Sequence, residues 1–444
     1  MALEAHAGET DVFMQTHPRP PKERICRVGY LVPEFPGQTH LFFWRELQGL
    51  ADAGVDCELI STRAPPAGVV SHSWAPAAIR RTTYLSPLGA GDLVEAVRLL
   101  ASAGPSRLAR CAGAIGGKSD LSFKERLRLL MLMVPAAKLV RLAREKNLDH
   151  VHVQSCADAA NVAMLASLTS DLTYSLSLLG PTLEGYGSNQ PNKWRYSSFA
   201  VVMSDLLYKV VLERLAGALP PRVLVLPVGV DLDVMRRGDR YEPWSRGPCR
   251  IYSCGRLNEV KGHRDLIDAV SILHARGIPV DLHIAGEDDQ GGHGYRLELE
   301  RHIEKTRASS YVTLLGAVDE DQHRAHLQEA HVFALASLNE GISVAIMEAM
   351  AMQTPMVVTN VGGNSELVED GLSGVFAEPG NPAKFADAME SVLLDPASAL
   401  RLSQQSRRKV SEKFDSRAHA ATLAGHIFET ILKVQRGAVV SSGR

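Results

Sequence analysis

The stretch that decides the fold lies in the second half of the chain. It reads His331-Val-Phe-Ala-Leu-Ala-Ser337, then Leu338-Asn-Glu-Gly341, then Ile342 to Met352. The first run is short and mostly apolar, which is typical of a strand covered on both faces. In the last run apolar residues recur every three to four positions, which predicts a helix. A strand, a loop and a helix in this order place a helix N-terminus at the carboxyl edge of a parallel sheet. Its free N–H groups and positive dipole end attract an anion.

Two carboxylates accompany this predicted anion site. Glu340 stands in the loop, and Glu348 follows about two helical turns later. Gly341 sits at the turn, where a residue without Cβ lets the backbone approach a ligand closely. A carboxylate repels phosphate but accepts hydrogen bonds from sugar hydroxyls. The pair therefore predicts a ligand that carries both phosphate and hydroxyl groups.

Strand and helix signals alternate on both sides of this stretch, which favours parallel sheets covered by helices. The predicted fold class is α/β, with two doubly wound Rossmann-like domains that face each other across a cleft. The expected division is a disordered tail (1–23), an N-terminal domain (24–228), a linker (229–248), a C-terminal domain (249–415) and a terminal helix (about 416–436) that packs back on the first domain.

Length and composition fit this picture. A chain of 444 residues exceeds what one hydrophobic core usually serves. The net charge of -2 gives no case for a nucleic-acid partner. The six scattered cysteines indicate reduced thiols, and the sequence has no apolar run of the roughly 18–20 residues that a membrane span needs. We therefore expect a cytoplasmic protein.

Several common site signatures are absent. The sequence has no Walker A motif and no Gly-x-Gly-x-x-Gly after a strand, which disfavours P-loop and nicotinamide chemistry. His323 and His326 share a predicted helix but have no third ligand beside them. His150 and His152 are expected on opposite faces of a strand. We therefore predict no metal site and no cofactor.

Residues 124–146 are locally basic around the apolar run Leu129 to Val134. Two interpretations remain open at this stage. The segment is either the solvated face of a helix that packs on the sheet, or a surface that contacts an anionic membrane peripherally.

A pair of cations follows the first strand of the second half. Gly255-Arg256-Leu257 comes directly after that strand, and Lys261 lies shortly beyond it. Cations at the carboxyl end of a strand can neutralise a diphosphate leaving group. The Gly362-Gly363 turn and Glu366 follow a later strand. In the first half, the loop Gly37-Gln38-Thr39 precedes a helix that Thr39 is expected to cap, and it would face the same cleft.

Together these residues resemble the retaining glycosyltransferases of family four, which have the GT-B fold. The resemblance implies that Arg256 and Lys261 hold a nucleotide diphosphate and that Glu340 contacts the transferred sugar. It also implies that Glu348 accepts from the nucleotide ribose. The donor-binding set that it implies is Gly37, Gly255, Arg256, Lys261, Glu340, Gly341, Ile342, Ser343, Val344 and Glu348, with Glu340, Arg256 and Lys261 as the catalytic residues.

The first half is similar to exopolysaccharide-assembly members of the colanic acid or amylovoran type. The likeness rests on Pro33 to Thr39, Arg45-Glu46 and Gly180-Pro181 through Trp194. It implies metal-independent transfer, with retention, from a nucleotide-sugar donor to a saccharide or lipid-linked saccharide. It also implies a location at the inner face of the cytoplasmic membrane. The expected acceptor and cleft residues are Gln38, Thr39, His152, Leu179 and Gly180.

One position departs from that pattern. Such enzymes place a histidine before the glycine that follows Leu178, and this chain has Leu179. Leucine can neither donate a hydrogen bond nor share a proton. Two other functions therefore stay open: a nucleotide-sugar-binding assembly protein without full activity, and a nucleotide-sugar epimerase.

Overall fold

The computed structural model of the protein describes residues 26–37, 40–65, 72–117 and 121–442. The predicted disordered tail (1–23) and two predicted site residues, Gln38 and Thr39, lie outside these ranges. The structure contains two parallel sheets with helices on their faces. The predicted fold class is confirmed.

The first sheet has the strand order β3-β2-β1-β4-β5-β6-β7, and every pairing in it is parallel. Its strands are β1 (Cys26–Glu34), β2 (Val55–Arg63), β3 (Thr83–Tyr84), β4 (His150–Val153), β5 (Thr173–Leu178), β6 (Ala200–Val202) and β7 (Val223–Val225). The helices of this half are α1 (Leu41–Asp52), α2 (Ala75–Arg81), α3 (Ala90–Ser102), α4 (Pro105–Gly116), α5 (Phe123–Met131), α6 (Met133–Lys146), α7 (Asp158–Thr169), α8 (Gln190–Arg195) and α9 (Asp205–Arg214).

The second sheet repeats the same winding with the order β10-β9-β8-β11-β12-β13. Its strands are β8 (Cys249–Cys254), β9 (Val280–Ala285), β10 (Val312–Gly316), β11 (Val332–Leu335), β12 (Met356–Thr359) and β13 (Val375–Ala377). The remaining helices are α10 (His263–Ala275), α11 (Tyr295–Lys305), α12 (Glu320–Glu329), α13 (Val344–Ala351), α14 (Asn364–Leu367), α15 (Pro382–Leu393), α16 (Pro396–Lys413) and α17 (Ser416–Ser442). In each sheet the order reverses beside its first strand, where doubly wound folds bind ligands.

Two predicted boundaries were wrong. The helix expected from Ile342 begins at Val344, because Ser343 caps it and its hydroxyl accepts from Ile346 N–H at 3.5 Å. Ile342 and Ser343 therefore belong to the loop. The mostly apolar run from Val223 to Val230 predicts a strand that reaches Asp231, but the observed strand ends at Val225. Pro227 has no backbone N–H to offer a ladder, so this region cannot continue as a paired strand.

The C-terminal helix α17 returns to the N-terminal domain. Leu423 and Ile427 are buried in the same apolar cluster as Val28 and Leu47. At the crossing, Val230 N–H donates to Phe414 O at 2.8 Å, and Ser416 N–H donates to Val230 O at 3.1 Å. The two chain segments that connect the domains thus run side by side.

A buried ion pair fixes α17 against α1. His419 Nε2 lies 2.6 Å from a Glu46 carboxylate oxygen, and the Tyr30 hydroxyl donates to the other oxygen at 2.9 Å. Burial disfavours the charge on Glu46, but the hydrogen bonds from His419 and Tyr30 and the nearby charges of His419 and His152 together outweigh it and lower the pKa of Glu46. The last helix is therefore joined to the first domain by charge as well as by apolar packing.

Candidate functional site

A cavity of about 270 Å³ lies between the two domains. The N-terminal domain supplies part of its wall from α1 and from the segment after β2, and the C-terminal domain supplies the carboxyl ends of β8, β9 and β10 and the starts of α12 and α13. The predicted site residues that line it are Gly255, Arg256, Lys261, Glu340, Ile342, Ser343, Val344 and Glu348. The structure thus brings together residues spread over almost a hundred positions.

Lys261 and Glu340 form an ion pair inside this cavity. Lys261 Nζ lies 2.5 Å from Glu340 Oε1, and the Ser337 hydroxyl donates to the same oxygen at 2.7 Å. Glu340 is only 8% exposed. Because an ammonium carries three N–H donors, Lys261 can bind Glu340 and still donate to a ligand.

Arg256 is less constrained. Its side chain is half exposed, and its closest carboxylate partner is Asp289 at 3.9 Å, which is itself largely exposed. Exposed pairs of this kind contribute little to stability. The guanidinium is therefore available for a ligand in the cavity.

Glu348 is held by two cations from different domains. Arg45 Nη1, on α1, donates to Glu348 Oε1 at 2.8 Å, and His323 Nε2, on α12, lies 3.1 Å from Oε2. Tyr252 Oη lies 2.8 Å from His323 Nδ1. A carboxylate has about four lone-pair positions, so Glu348 keeps acceptor capacity beyond these two contacts.

The charges on this buried pair stabilise each other. Burial opposes ionisation of Glu348, but His323 and Arg45 outweigh it and lower the pKa of Glu348 to about 2. Burial likewise opposes the charge on His323, but Cys254 and Glu348 outweigh it and raise the pKa of His323 to about 10. Near neutral pH the cavity therefore contains a carboxylate between two positive groups.

The glycine pair Gly362-Gly363 after β12 packs against the loop that carries Glu340 and Gly341. Gly362 has φ +53°, and a Cβ there would lie 1.7 Å from the Glu340 carbonyl oxygen. Gly363 N–H donates to Gly341 O at 2.9 Å. It is thus the backbone of Glu340 and Gly341 that comes close to this turn.

Glu366 has a role that its sequence position did not reveal. Its carboxylate accepts from the backbone N–H groups of Asp205 at 2.9 Å and Leu206 at 3.0 Å. These amides begin helix α9 of the other domain, so Glu366 caps that helix across the domain boundary.

The loop after β5 reaches the C-terminal domain. A Cβ on Gly341 would lie 3.3 Å from Leu179 O and 3.2 Å from the Gly180 carbonyl carbon. A Cβ on Gly180 would lie 2.7 Å from the Tyr186 hydroxyl. Leu179 and Gly180 are thus beside the Glu340 loop, although they do not line the cavity itself.

His152 is placed differently from the expected cleft position. It is fully buried in the first sheet, with Nδ1 2.7 Å from the Ser175 hydroxyl and Nε2 3.0 Å from the Ser177 hydroxyl. Burial lowers the pKa of His152 to about 4, so it is neutral near pH 7. The sequence analysis predicts His152 as a cleft residue, but its side chain lies inside the first sheet and does not line the cavity.

The expectation that His150 and His152 lie on opposite faces was wrong. His150 Nε2 lies 2.8 Å from the same Ser175 hydroxyl that His152 contacts. Residues two apart in a strand share a face, because the side-chain period is two. Among the described residues no group of three or more His, Cys, Asp or Glu side chains could hold a metal ion.

Gly37 lies beside the start of α1, where the His40 ring packs within 2.6 Å of the position that a Cβ would take. Gly37 does not line the cavity. The helix begins at Leu41 after His40, and no side chain caps it among the described residues.

Sequence reasoning missed Arg45 and His323 as site residues. The sequence points to His323 only as a possible metal ligand, and to Arg45 only as part of the likeness to exopolysaccharide-assembly enzymes. The signal that could have found His323 is the Asp319 capping box, which starts α12 at the carboxyl end of β10 and places His323 in its first turns. No local pattern links Arg45 to Glu348, because 303 positions separate them.

Comparisons with known proteins agree with this architecture. Solved structures that cover 92% of the chain include a glycosyltransferase from Rickettsia africae (TM-score 0.65, 16% identity, 99% of that chain). Sucrose-phosphate synthase from Thermosynechococcus elongatus covers the same share (TM-score 0.68, 18% identity, 99% of that chain). The Anabaena protein HepE in complex with UDP and glucose covers 90% (TM-score 0.67, 16% identity, 98% of that chain). The fold is the GT-B fold.

Residues 241–409 match the family model described as Glycosyl transferases group 1. Glycogen synthase of Mycobacterium tuberculosis is 33% identical over 191 residues, which cover 43% of this chain and 44% of that protein. The amylovoran biosynthesis glycosyltransferase AmsK of Erwinia amylovora is 32% identical over 174 residues, 38% of this chain and 42% of that protein. The chain thus spans about half the length of the curated relatives it matches, and the match to the family model falls in its second half.

Proposed function

We propose that the protein transfers a sugar from a nucleoside diphosphate sugar to a saccharide acceptor, with retention at the anomeric carbon. The observation that carries the proposal is the cavity in which Arg256, Lys261, Glu340 and Glu348 meet between two Rossmann-like domains. Cations and carboxylates in one cavity suit a ligand with both phosphates and hydroxyls. HepE, which shares the fold, was solved with UDP-glucose.

The residues divide the work as follows. Arg256 and Lys261 bind the diphosphate and stabilise its negative charge as it leaves, which supplies the role that a metal ion plays in other sites. Glu340 is positioned by Lys261 and Ser337 to accept from sugar hydroxyls. Glu348 accepts from the ribose. No cofactor is required in this scheme.

The bond changes balance without an added reactant. The bond between the anomeric carbon and the diphosphate oxygen breaks, and its electron pair leaves with the diphosphate. The acceptor hydroxyl oxygen bonds to the same carbon on the face from which the diphosphate departs. The departing phosphate takes the acceptor proton.

The acceptor we propose is a growing, lipid-linked saccharide of exopolysaccharide assembly, used at the inner face of the cytoplasmic membrane. The similarity of part of the chain to the amylovoran enzyme AmsK supports it, as does the Gly180 loop, which lies beside the Glu340 loop from the opposite domain.

The test is a scan of nucleoside diphosphate sugars, with release of the nucleoside diphosphate measured with and without saccharide acceptors. Glu340→Gln should reduce transfer about 100-fold, the usual scale for one lost electrostatic contact in a transition state. Glu412→Gln, on the exposed surface of α16, is the matched control and should leave transfer unchanged. Wild-type transfer that Glu340→Gln does not reduce would overturn these assignments.

One observation favours a second function, a nucleotide-sugar-binding assembly protein. Leu179 stands where an imidazole is expected, and His152 is too deeply buried to replace it. Donor binding by calorimetry without turnover, together with turnover gained by Leu179→His, would establish this second function. Robust wild-type turnover excludes it, and an epimerase would instead form product without any acceptor.

A further inference from the structure

Helix α5 presents apolar side chains to the exterior of the N-terminal domain. Phe123 is 81% exposed, Leu127 48%, Leu130 54% and Met131 60%. Their spacing places them on one side of the helix, while Leu129 on the other side is buried. Single exposed apolar residues are common on proteins, but four on one helix face indicate a surface that something covers.

The local structure holds this face outward. Ser122 and Glu125 form a capping box, with Ser122 N–H donating to the Glu125 carboxylate at 2.7 Å. The Arg126 guanidinium donates to Ile115 O at 2.8 Å and Leu121 O at 3.2 Å. These contacts fasten α5 to the end of α4, so the apolar face is fixed rather than free to turn inward.

Cations predominate around this face. Helices α4, α5 and α6 together carry nine Lys and Arg residues and two Glu residues, whereas the whole chain is nearly balanced at 48 against 50. Lys124 adjoins Phe123. Arg128 contacts Asp158 but keeps two thirds of its side chain exposed. An apolar face bordered by cations complements an anionic lipid surface.

The structure also narrows the segment in which the sequence suggested membrane contact. Most of α6 is buried, including Met133 and Leu139. Two of its cations are less exposed than Arg128, Lys138 at 18% and Arg141 at 38% of the side chain, since Lys138 Nζ donates to Leu85 O at 2.8 Å and Arg141 Nη2 donates to Asp92 at 3.1 Å. The candidate surface is therefore α5 with Lys124 and Arg128, not the whole of 124–146.

We propose that this face of α5 docks on the surface of an anionic lipid bilayer, with Phe123, Leu127 and Leu130 entering the interface and Lys124 and Arg128 among the headgroups. The occupant is a bilayer rather than a peptide because cations border the exposed apolar side chains, which matches anionic headgroups above an apolar interior. Among the described residues no helix is long and apolar enough to span a membrane, so the contact is an interfacial one. The inference deepens the proposed function, since docking would bring the enzyme to a lipid-linked acceptor.

The experiment measures co-sedimentation of the full chain with vesicles of phosphatidylcholine alone and of phosphatidylcholine with phosphatidylglycerol. We expect binding to the anionic vesicles that weakens with added salt, because screening reduces the attraction of exposed cations. The triple variant Phe123→Ser, Leu127→Ser, Leu130→Ser should bind at least tenfold more weakly. Leu394→Ser, at a position 60% exposed in the other domain, is the matched control and should bind like the wild type.

Thermal unfolding of the triple variant checks that the fold is intact, and the exposed positions predict little change. The proposal is overturned if the wild type binds neither vesicle, or if the folded triple variant binds as well as the wild type. Dimers that the triple variant abolishes, without vesicle binding, would instead assign this face to a second copy of the chain. Calorimetry with UDP tests the proposed transferase function separately from lipid docking, because no residue of α5 lines the donor cavity.

Discussion

Glu348, the residue that we propose accepts from the ribose, is also a contact between the domains. Arg45 reaches it from α1 and His323 from α12. Removing one partner from a buried pair leaves an uncompensated charge, which costs about 3–5 kcal/mol. If Glu348 binds the donor as proposed, variants at this position change donor binding and stability together, and the two must be measured separately.

His323 gives a pH-dependent prediction. Because its folded-state pKa, about 10, lies above its ordinary value of 6.5, its contribution to stability is complete below pH 6.5 and is lost as the pH rises through about 10. The wild type should therefore lose stability between these values more steeply than His323→Gln. Thermal unfolding from pH 6 to pH 10.5 measures this, with the exposed His293→Gln as control. Parallel pH profiles of wild type and His323→Gln would contradict the ion pair.

At the residue scale, the sequence predicted what lies near each strand end but not what pairs across the cleft. Glu340, Lys261 and Arg256 follow strands, and parallel strands bring their carboxyl ends to one edge. The pairing of Arg45 with Glu348 depends on how two separately wound domains meet. No periodicity in either domain contains that information.

At the element scale, the turn after β12 illustrates a glycine that geometry requires. Gly362 combines a positive φ with a Cβ position that the Glu340 carbonyl occupies. Gly371 also has a positive φ, +72°, but nothing lies within 4 Å of its Cβ position. A methyl group added at Gly371 therefore meets only the cost of the backbone conformation, whereas one added at Gly362 also collides with the Glu340 carbonyl.

We predict that Gly371→Ala costs about 1 kcal/mol, the ordinary price of a left-handed backbone. Gly362→Ala should cost about 3 kcal/mol or more, because the loop must also move away from the new methyl group. It should weaken UDP binding as well, since Glu340 on that loop pairs with Lys261, the residue proposed to bind the diphosphate. Urea unfolding and calorimetry with UDP measure both effects. Equal unfolding costs for the two variants would show that the Glu340 backbone is not held by this turn.

Whole elements were predicted better than their ends. The run His150-Val-His-Val153 predicts a strand, and β4 has the same span. Helix α13 begins two residues later than expected, because the apolar spacing of Ile342 fits the helix but the Ser343 hydroxyl caps it. Periodicity reports which side chains are buried, and it does not distinguish a helical residue from a buried loop residue.

At the scale of the whole molecule, specific polar contacts join the domains across the cleft. The pairs Arg45–Glu348 and Glu366 with the α9 amides are two of them. We predict that Arg45→Ala shifts the nucleotide-free protein toward an open arrangement, because opening lets water solvate the carboxylate that Arg45 has left. Small-angle scattering should show a larger radius of gyration. As a control, Arg63→Ala removes a mostly exposed pair with Glu34 and should leave the radius of gyration unchanged. An unchanged radius of gyration in Arg45→Ala would show that the Arg45–Glu348 contact does not hold the domains together.

The return of α17 to the first domain has a consequence for the order in which the protein is made. Leu423 and Ile427 complete the apolar cluster around Val28, and His419 pairs with Glu46. About 190 residues separate the end of β7 from α17, and at about 5–20 residues per second their synthesis takes roughly 10–40 s. Throughout that interval His419 is not yet present to pair with Glu46, and one face of the apolar cluster around Val28 stays exposed to water. The domain that leaves the ribosome first is therefore the one that finishes folding last.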